Sequence, residues 1–371
     1  MRTLSQKFKK TDYLFALMVI LLSLFGIIMI ASSSMVISLE RFGTNYHYAS
    51  RQIISFAVGI VALLITYNID YRFWKKNAFW LFLITVLLLF LVFVPGIGHQ
   101  FGGAQRWIGF GSVIFQPSEI IKLSFIIYLA AWLDKKGENI KNFLFGFLPF
   151  IILIAFIGFL IIKQPDLGTM LVIILTAALM VFVSGANLWH LSIGAAALAI
   201  IVAILIKAAP YRIQRLLVFL NPALDNQGAA YHINQALLAI GTGGLWGLGF
   251  GQSRQKYLYL PQAHTDSIFA IIAEELGFIR VGLVLLVFFF LGFRGYKIAK
   301  NAPDNFSRLL AIGITSWILI QAFINIASML NLLPMTGVPL PFISFGGSAL
   351  IVLLAATGIM LNIAKHSGEK L

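Results

Sequence analysis

The residue of this chain best placed to do chemistry is Asp266, where a polar and basic stretch gives way to a long apolar run. In the segment 251–277, GQSRQKYLYLPQAHTDSIFAIIAEELG, Arg254 and Lys256 precede Pro261, and His264, Thr265 and Asp266 stand at the mouth of the apolar part. Ionisable groups at the mouth of a membrane helix are costly unless they face a cavity or a partner, which makes them functional candidates. The plainer alternative is that Thr265 or Asp266 caps the helix that follows. Arg106 in GAQRWIGFG, Glu119 and Lys122 in QPSEIIK, and Lys163 and Asp166 in KQPDLGT stand in comparable places. They too have structural alternatives, with Glu119 and Lys122 pairing at i, i+3 and Asp166 capping the run after Pro165. A lone carboxylate among arginines and lysines suits a general base beside cations that neutralise an anionic leaving group.

Other chemistries lack their parts. There is no HExxH, P-loop, GxSxG or metal-spaced histidine pair, and the absence of cysteine removes thiolate metal sites and disulfides. The glycine cluster GTGGLWGLGFG, 241–251, offers a phosphate nest or close helix contact, the latter being the commoner meaning. Ala270, Ala273 and Gly277 form a small-residue stripe below Asp266, for helix packing or a lipid chain. Glu274 and Glu275 lie roughly 12–13 Å further along the helix at 1.5 Å per residue, and are expected to serve buried polar groups or a cation.

The elements that position these groups follow from composition. With 371 residues, 60% hydrophobic and 11% charged, and a mean hydropathy of +0.93, the chain cannot hide its apolar side chains in one soluble core. The expected fold is an all-α polytopic membrane protein, a single bundle of about ten transmembrane helices forming one domain over 1–371. Spans are expected at 13–34, 53–65, 78–94, 120–133, 143–162, 167–183, 188–206, 267–293, 309–330 and 350–363. The run 13–34 is too long for a signal peptide despite the cleavage-like Ala31-Ser-Ser-Ser, so it is expected to stay as the first helix. The basic residues gather in alternate short loops: Arg2, Lys7, Lys9 and Lys10; Arg72, Lys75 and Lys76; Lys135, Lys136 and Lys141; Arg294, Lys297, Lys300 and Arg308; Lys365 and Lys370. By the positive-inside rule both termini are cytoplasmic, and a large, partly helical extracytoplasmic loop occupies 207–264. Within it, 211–222 is expected to lie in the interface as an amphipathic helix, with Arg212 and Arg215 opposite Leu216, Leu217, Phe219 and Leu220. Gln255 and Gln262 should then be reachable from outside. The costly groups fall together at the outer helix ends, with no such cluster expected at the inner ends, which points to a charged outer cavity and a partly lipidic substrate. The net charge of +14 is scattered through short loops near lipid, and nucleic acid is not an expected partner.

The motifs SRQKYLYLPQAHTDSIFAIIAEELG, GAQRWI, QPSEIIKL, KQPDLGT and TGVPLPFISFGGSAL, in this order, resemble the SEDS family of shape, elongation, division and sporulation proteins across nearly the whole chain. SRQK and the loop 336–347 are more similar to its division branch, FtsW, than to its elongation branch, RodA. The resemblance implies a ten-helix peptidoglycan glycosyltransferase that polymerises lipid II at the outer face of the cytoplasmic membrane, working with a class B penicillin-binding protein and other division proteins. It implies that Asp266 is the essential acid, and that Arg106, Glu119, Lys122, Lys163, Asp166, Arg254 and Lys256 are the family's basic and polar positions. Arg215, His264, Thr265 and Ser344 complete the expected substrate contacts, and a divalent cation, Mg or Mn, is carried as an optional cofactor. Gln262 stands where Glu is usual, Ser267 where Phe is usual and Phe345 where Tyr is usual. A lipid II flippase and a non-catalytic scaffold for the transpeptidase are the rival functions; intramembrane charges lining a path would fit the former.

Overall fold

The computed structural model describes residues 12–101, 104–110, 113–207, 210–221 and 228–367. Arg2, Lys7, Lys9, Lys10 and Lys370, part of the charge asymmetry, lie outside the described residues, as does Pro222. The apolar runs fold as α1 (Tyr13–Phe42), α2 (His47–Asn68) and α3 (Tyr71–Leu91) before a small sheet of β1 (Gly98–Phe101), β2 (Ala104–Phe110) and β3 (Val113–Phe115). There follow α4 (Pro117–Lys136), α5 (Leu148–Lys163), α6 (Leu167–Val183), α7 (Leu188–Lys207), α8 (Pro210–Leu220), α9 (Ala229–Gly243), α10 (Ile268–Lys300), α11 (Asn305–Met329) and α12 (Gly347–His366). Among the described residues, 8 helices are long and apolar enough to cross a membrane. The shorter apolar α6 and the charge-bearing α4 occupy the other two places where spans are expected.

The bundle is built around α11 and α12, whose faces are largely buried; α11 packs on α4, α6 and α10, and α12 runs along α2. α7 is peripheral, touching α6 and α8 and, through His190 and Gly194, Phe143, Phe147 and Ile151 just before and at the start of α5, with none of its residues buried. The first helix continues past the expected boundary to Gly43, which ends it at φ +68 in the left-handed region with its N–H on the Leu39 carbonyl. The antiparallel sheet pairs β1 with β2 and β2 with β3, a small addition to the helical bundle that carries Arg106. In α8 only one of the two arginines is turned inward, Arg215 being exposed. Arg212 is buried and donates to the Leu205 carbonyl at 2.9 Å, while Leu217 and Leu220 face outward, as suits a surface whose solvent is lipid.

Two further expectations change. α10 is broken at Gly277 (φ +77, ψ 171), and the 244–249 segment fills the gap. Leu248 and Gly249 N–H donate to the Glu274 and Glu275 carbonyls, and Phe278 N–H donates to that of Gly244. A Cβ on Gly277 would lie 2.2 Å from the Gly247 nitrogen, and one on Gly243 would lie 2.1 Å from the Ala273 carbonyl. The small-residue stripe and the glycine cluster are thus one close backbone contact, and amides a phosphate nest would need are already used. The end of the bundle opposite Asp266 also has its own polar cluster, contrary to expectation: Arg294 pairs with Asp12 at 2.8 Å, Lys75 with Asp134 at 2.7 Å, and Tyr71 Oη donates to Asp304 at 2.9 Å. These partners come from different helices, so no local spacing announces them.

Candidate functional site

Asp266 sits in the turn between the 253–262 loop and α10, and its carboxylate does not cap the helix. The N-cap is Ser267, without a side-chain cap bond, and Asp266 Oδ1 instead lies 2.9 Å from Thr265 Oγ1. That hydroxyl has one hydrogen and three acceptors in reach: Asp266 Oδ1, Gln262 Oε1 at 2.9 Å and the Gln262 carbonyl at 3.2 Å. The acid is partly exposed, and a Cβ on Gly337, whose φ is +70, would lie 3.5 Å from its Oδ2. The turn is held from several sides. Asn325 Nδ2 donates to the Asp266 carbonyl at 2.8 Å and to that of Val338 at 2.7 Å, and Ser344 Oγ donates to the Thr265 carbonyl at 2.6 Å. Phe345 N–H donates to the His264 carbonyl at 2.9 Å, and Gln52 Oε1 accepts from Gly346 N–H.

Glu119 and Lys122 reach this turn only through other groups. They form a buried pair at 2.7 Å, Lys122 Nζ also donates to Gln321 Oε1 at 2.9 Å, and its ammonium lies 5.2 Å from the Trp317 ring centre. Gln321 then donates to the Pro339 carbonyl at 2.9 Å. Trp317, Gln321 and Asn325 recur every four residues, so one face of α11 carries a polar ladder from the α4 pair to the loop beside Asp266. Both side chains of the pair are buried and engaged within the protein, and the chain of contacts they start ends on that loop.

Four other expected contacts are diverted in the same way. Asp166 caps α6, accepting from Thr169 N–H at 3.1 Å and Thr169 Oγ1 at 3.0 Å. Gly168, on the next turn, abuts the Thr336 carbonyl, so the capped end buttresses the same loop. Arg106 donates through Nε to the Gln164 carbonyl at 2.9 Å and through Nη2 to that of Pro165, fastening the sheet to the α5–α6 turn. Lys256, fully buried, donates to Glu275 Oε1 at 3.1 Å, to Ser32 Oγ at 3.2 Å and to the Gly251 carbonyl at 2.6 Å. Ser32 belongs to the cleavage-like triplet, whose helix is intact and whose hydroxyl also donates to Glu275 at 2.7 Å. His264 is buried between Tyr48 and Phe345, ring centres at 4.3 and 5.6 Å, and burial, reinforced by Arg41, lowers its pKa to about 4. The packed, neutral ring brings no positive charge to an anion. Glu274 accepts from Ser253 Oγ and from the Arg254 and Gln255 backbone N–H groups, in keeping with its expected structural role.

Lys163 and Arg254 remain exposed, while Arg215 Nη1 donates to the Met335 carbonyl at 3.2 Å. A residue not read from the sequence joins them: His232, on α9, has Nε2 2.6 Å from Ser267 Oγ. Burial holds its ring below the usual imidazole range, with Asp266 opposing and Arg215 adding to the shift. The polar side chain on the apolar face of a helix entering at 229 was the available signal. Among the described residues no group of three or more His, Asp or Glu side chains forms a metal cluster.

A family model described as "Cell cycle protein", covering FtsW, RodA and SpoVE, matches residues 12–369. The chain is 44% identical to Stage V sporulation protein E of Bacillus subtilis, over 97% of this chain and 99% of that protein. It is 41% identical to the probable peptidoglycan glycosyltransferase FtsW of Trichlorobacter lovleyi, over 95% of this chain and 93% of the relative. Among solved structures it resembles a chain of a peptidoglycan synthase complex that coordinates polymerization and crosslinking, with a TM-score of 0.78 at 27% identity, covering 96% and 98% of the two chains. It also resembles the rod shape determining protein RodA of Thermus thermophilus, with a TM-score of 0.72 at 26% identity, covering 96% and 97%.

Proposed function

Because the chain belongs to the FtsW, RodA and SpoVE family of cell cycle proteins, we propose that it is a multi-pass membrane peptidoglycan glycosyltransferase that polymerises lipid II with Asp266 as general base. The observation that carries the role of Asp266 is a carboxylate left free of capping, partly exposed, in a turn fixed by Asn325 and Ser344. Asp266 takes the proton from a sugar hydroxyl of one lipid-linked disaccharide. The oxygen so freed bonds to the anomeric carbon of another, whose bond to polyprenyl pyrophosphate breaks, and the pyrophosphate leaves as an anion. Arg215, Arg254 and Lys163 are the candidates to stabilise it, and a leaving group already this good needs no dedicated acid. A Mg or Mn ion held by the substrate phosphates would supply further neutralisation at the pyrophosphate; among the described residues no group of three or more His, Asp or Glu side chains stands ready to hold it, and Asp266 is kept for the proton.

The orientation proposed puts Asp266 at the outer face of the cytoplasmic membrane and both termini in the cytoplasm, following the basic residues at the opposite end. A class B penicillin-binding protein is the proposed partner, on the likeness to a synthase complex, and septal wall synthesis is the proposed setting, on the likeness to FtsW proteins. Other division proteins extend the same reading. The test is Asp266→Asn, purified with the transpeptidase and with the partner's own site blocked. The asparagine keeps size and hydrogen bonding but cannot take a proton, so glycan polymer should fall by about 100-fold or more, with thermal stability unchanged. Equal polymer from both proteins removes Asp266 as base. No polymer from the wild type returns the flippase and scaffold readings.

A further inference from the structure

His232 stands near Asp266 yet takes no part in the reaction as derived. Its Nε2 lies 2.6 Å from Ser267 Oγ, and Ser267 Oγ lies 3.0 Å from the Pro261 carbonyl. A carbonyl only accepts, so the single hydroxyl hydrogen of Ser267 goes to Pro261, and the hydroxyl oxygen accepts from the ring. This assigns the hydrogen of the neutral imidazole to Nε2. The charged groups acting on the ring are Asp266, from the turn before α10, and Arg215, from α8; α9 itself contains no Asp, Glu, Lys or Arg. Of the elements packed on α9, α11 has its one charged residue, Arg308, at the opposite end of the bundle, and Glu274 and Glu275 of α10 face Ser253 and Lys256.

We propose that His232 is a positioning residue for Asp266, donating Nε2–H to Ser267 so that α9 fixes the turn from which the carboxylate works. The device depends on Ser267, since a phenylalanine there has no atom to accept the bond. It rests on the reading of Asp266 as base. The neutral state of the ring matters because a protonated His232 would hold the carboxylate in its charged form and make it a weaker proton acceptor. Acidification therefore slows the reaction through His232 as well as through any titration of the base itself.

The experiment measures lipid II polymerisation by the full chain with its transpeptidase, for His232→Ala, Ser267→Ala, the double variant and His232→Gln, whose side-chain amide also donates. Each alanine variant should lower kcat by about 10-fold with KM changed less than about threefold, the mark of lost orientation in place of lost binding. The double variant should be no worse than either single, because both remove one bond. His232→Gln should recover most of kcat and lose the His232 contribution on the acid side of the pH profile. Wild-type kcat in His232→Ala, multiplying losses in the double variant, or His232→Gln as poor as His232→Ala would each overturn the proposal. Asp266→Asn in the same assay separates the two claims: if it polymerises normally the base reading fails, and if it is inactive beside a fully active His232→Ala only the role of His232 fails.

Discussion

At the scale of single residues, what decides a basic side chain's role is whether its donors are already engaged. Lys256, Lys122 and Arg106 have theirs committed within the protein, whereas Arg254 and Lys163 keep exposed side chains. Arg254 is also the better aimed, because its backbone N–H is tied to Glu274 at 3.0 Å while its side chain stays free of the core. Arg254→Gln and Lys163→Met should therefore lower kcat for lipid II by roughly 10-fold or more with little change in melting temperature, since a leaving-group clamp acts mainly in the transition state. Polymerisation at the wild-type rate by both purified variants would move the clamp to Arg215. Asp266 was legible in the sequence because an acid at a helix mouth is costly wherever it points. The fate of Lys256 was not, since its acceptor Ser32 lies 224 residues away and no local pattern links them. His232 was passed over for a related reason, as its partner Ser267 is 35 residues further on.

At the scale of elements, hydropathy placed the spans but cut them short, as with α2 at 47–68 against 53–65, because a helix that satisfies its own backbone continues through polar residues beyond the apolar run. The break in α10 was hidden, for Gly277 reads equally well as a contact glycine. What supports the break is a side-chain network of opposite charge: Glu275 accepts from Ser32, Lys256 and the Ser253 N–H, and Glu274 accepts from the loop amides beside it. Lys256→Met should consequently lower the melting temperature sharply, because an unpaired buried carboxylate costs about 3–5 kcal/mol. Adding Glu275→Gln removes that stranded charge and should restore much of the loss. A double variant as unstable as the single would place the stabilisation in the lysine's packing and in its bond to Gly251. The sheet escaped notice for a different reason, since its strands are short and its partners are set by the turn geometry between α3 and α4.

At the scale of the whole molecule, the chain is bipolar. One end gathers Asp266, the loop 336–347, the sheet and the α5–α6 turn through hydrogen bonds between them, and the other gathers Asp12, Asp70, Asp134, Asp304 and most of the short-loop lysines. Which end faces the cytoplasm is proposed from the charge bias and is open to direct test, as the chain has no cysteine. Single cysteines at Gln262 and Tyr259, both exposed, should react with an impermeant thiol reagent added to intact spheroplasts, and those at Lys135 and Lys297 only after the membrane is opened. Gln255 is not a useful probe despite lying in the same loop, because it is buried, with its backbone N–H on the Glu274 carboxylate. Modification of position 262 only from the cytoplasmic side would invert the molecule. Asp266 would then face nucleotide-linked precursors instead of lipid-linked disaccharides in the outer leaflet, and the polymerase reading would fail on geometry alone, whatever the side chain's chemistry. Labelling of 259 and 262 from outside, with 135 and 297 protected, leaves the carboxylate on the side where the growing glycan strand must lie.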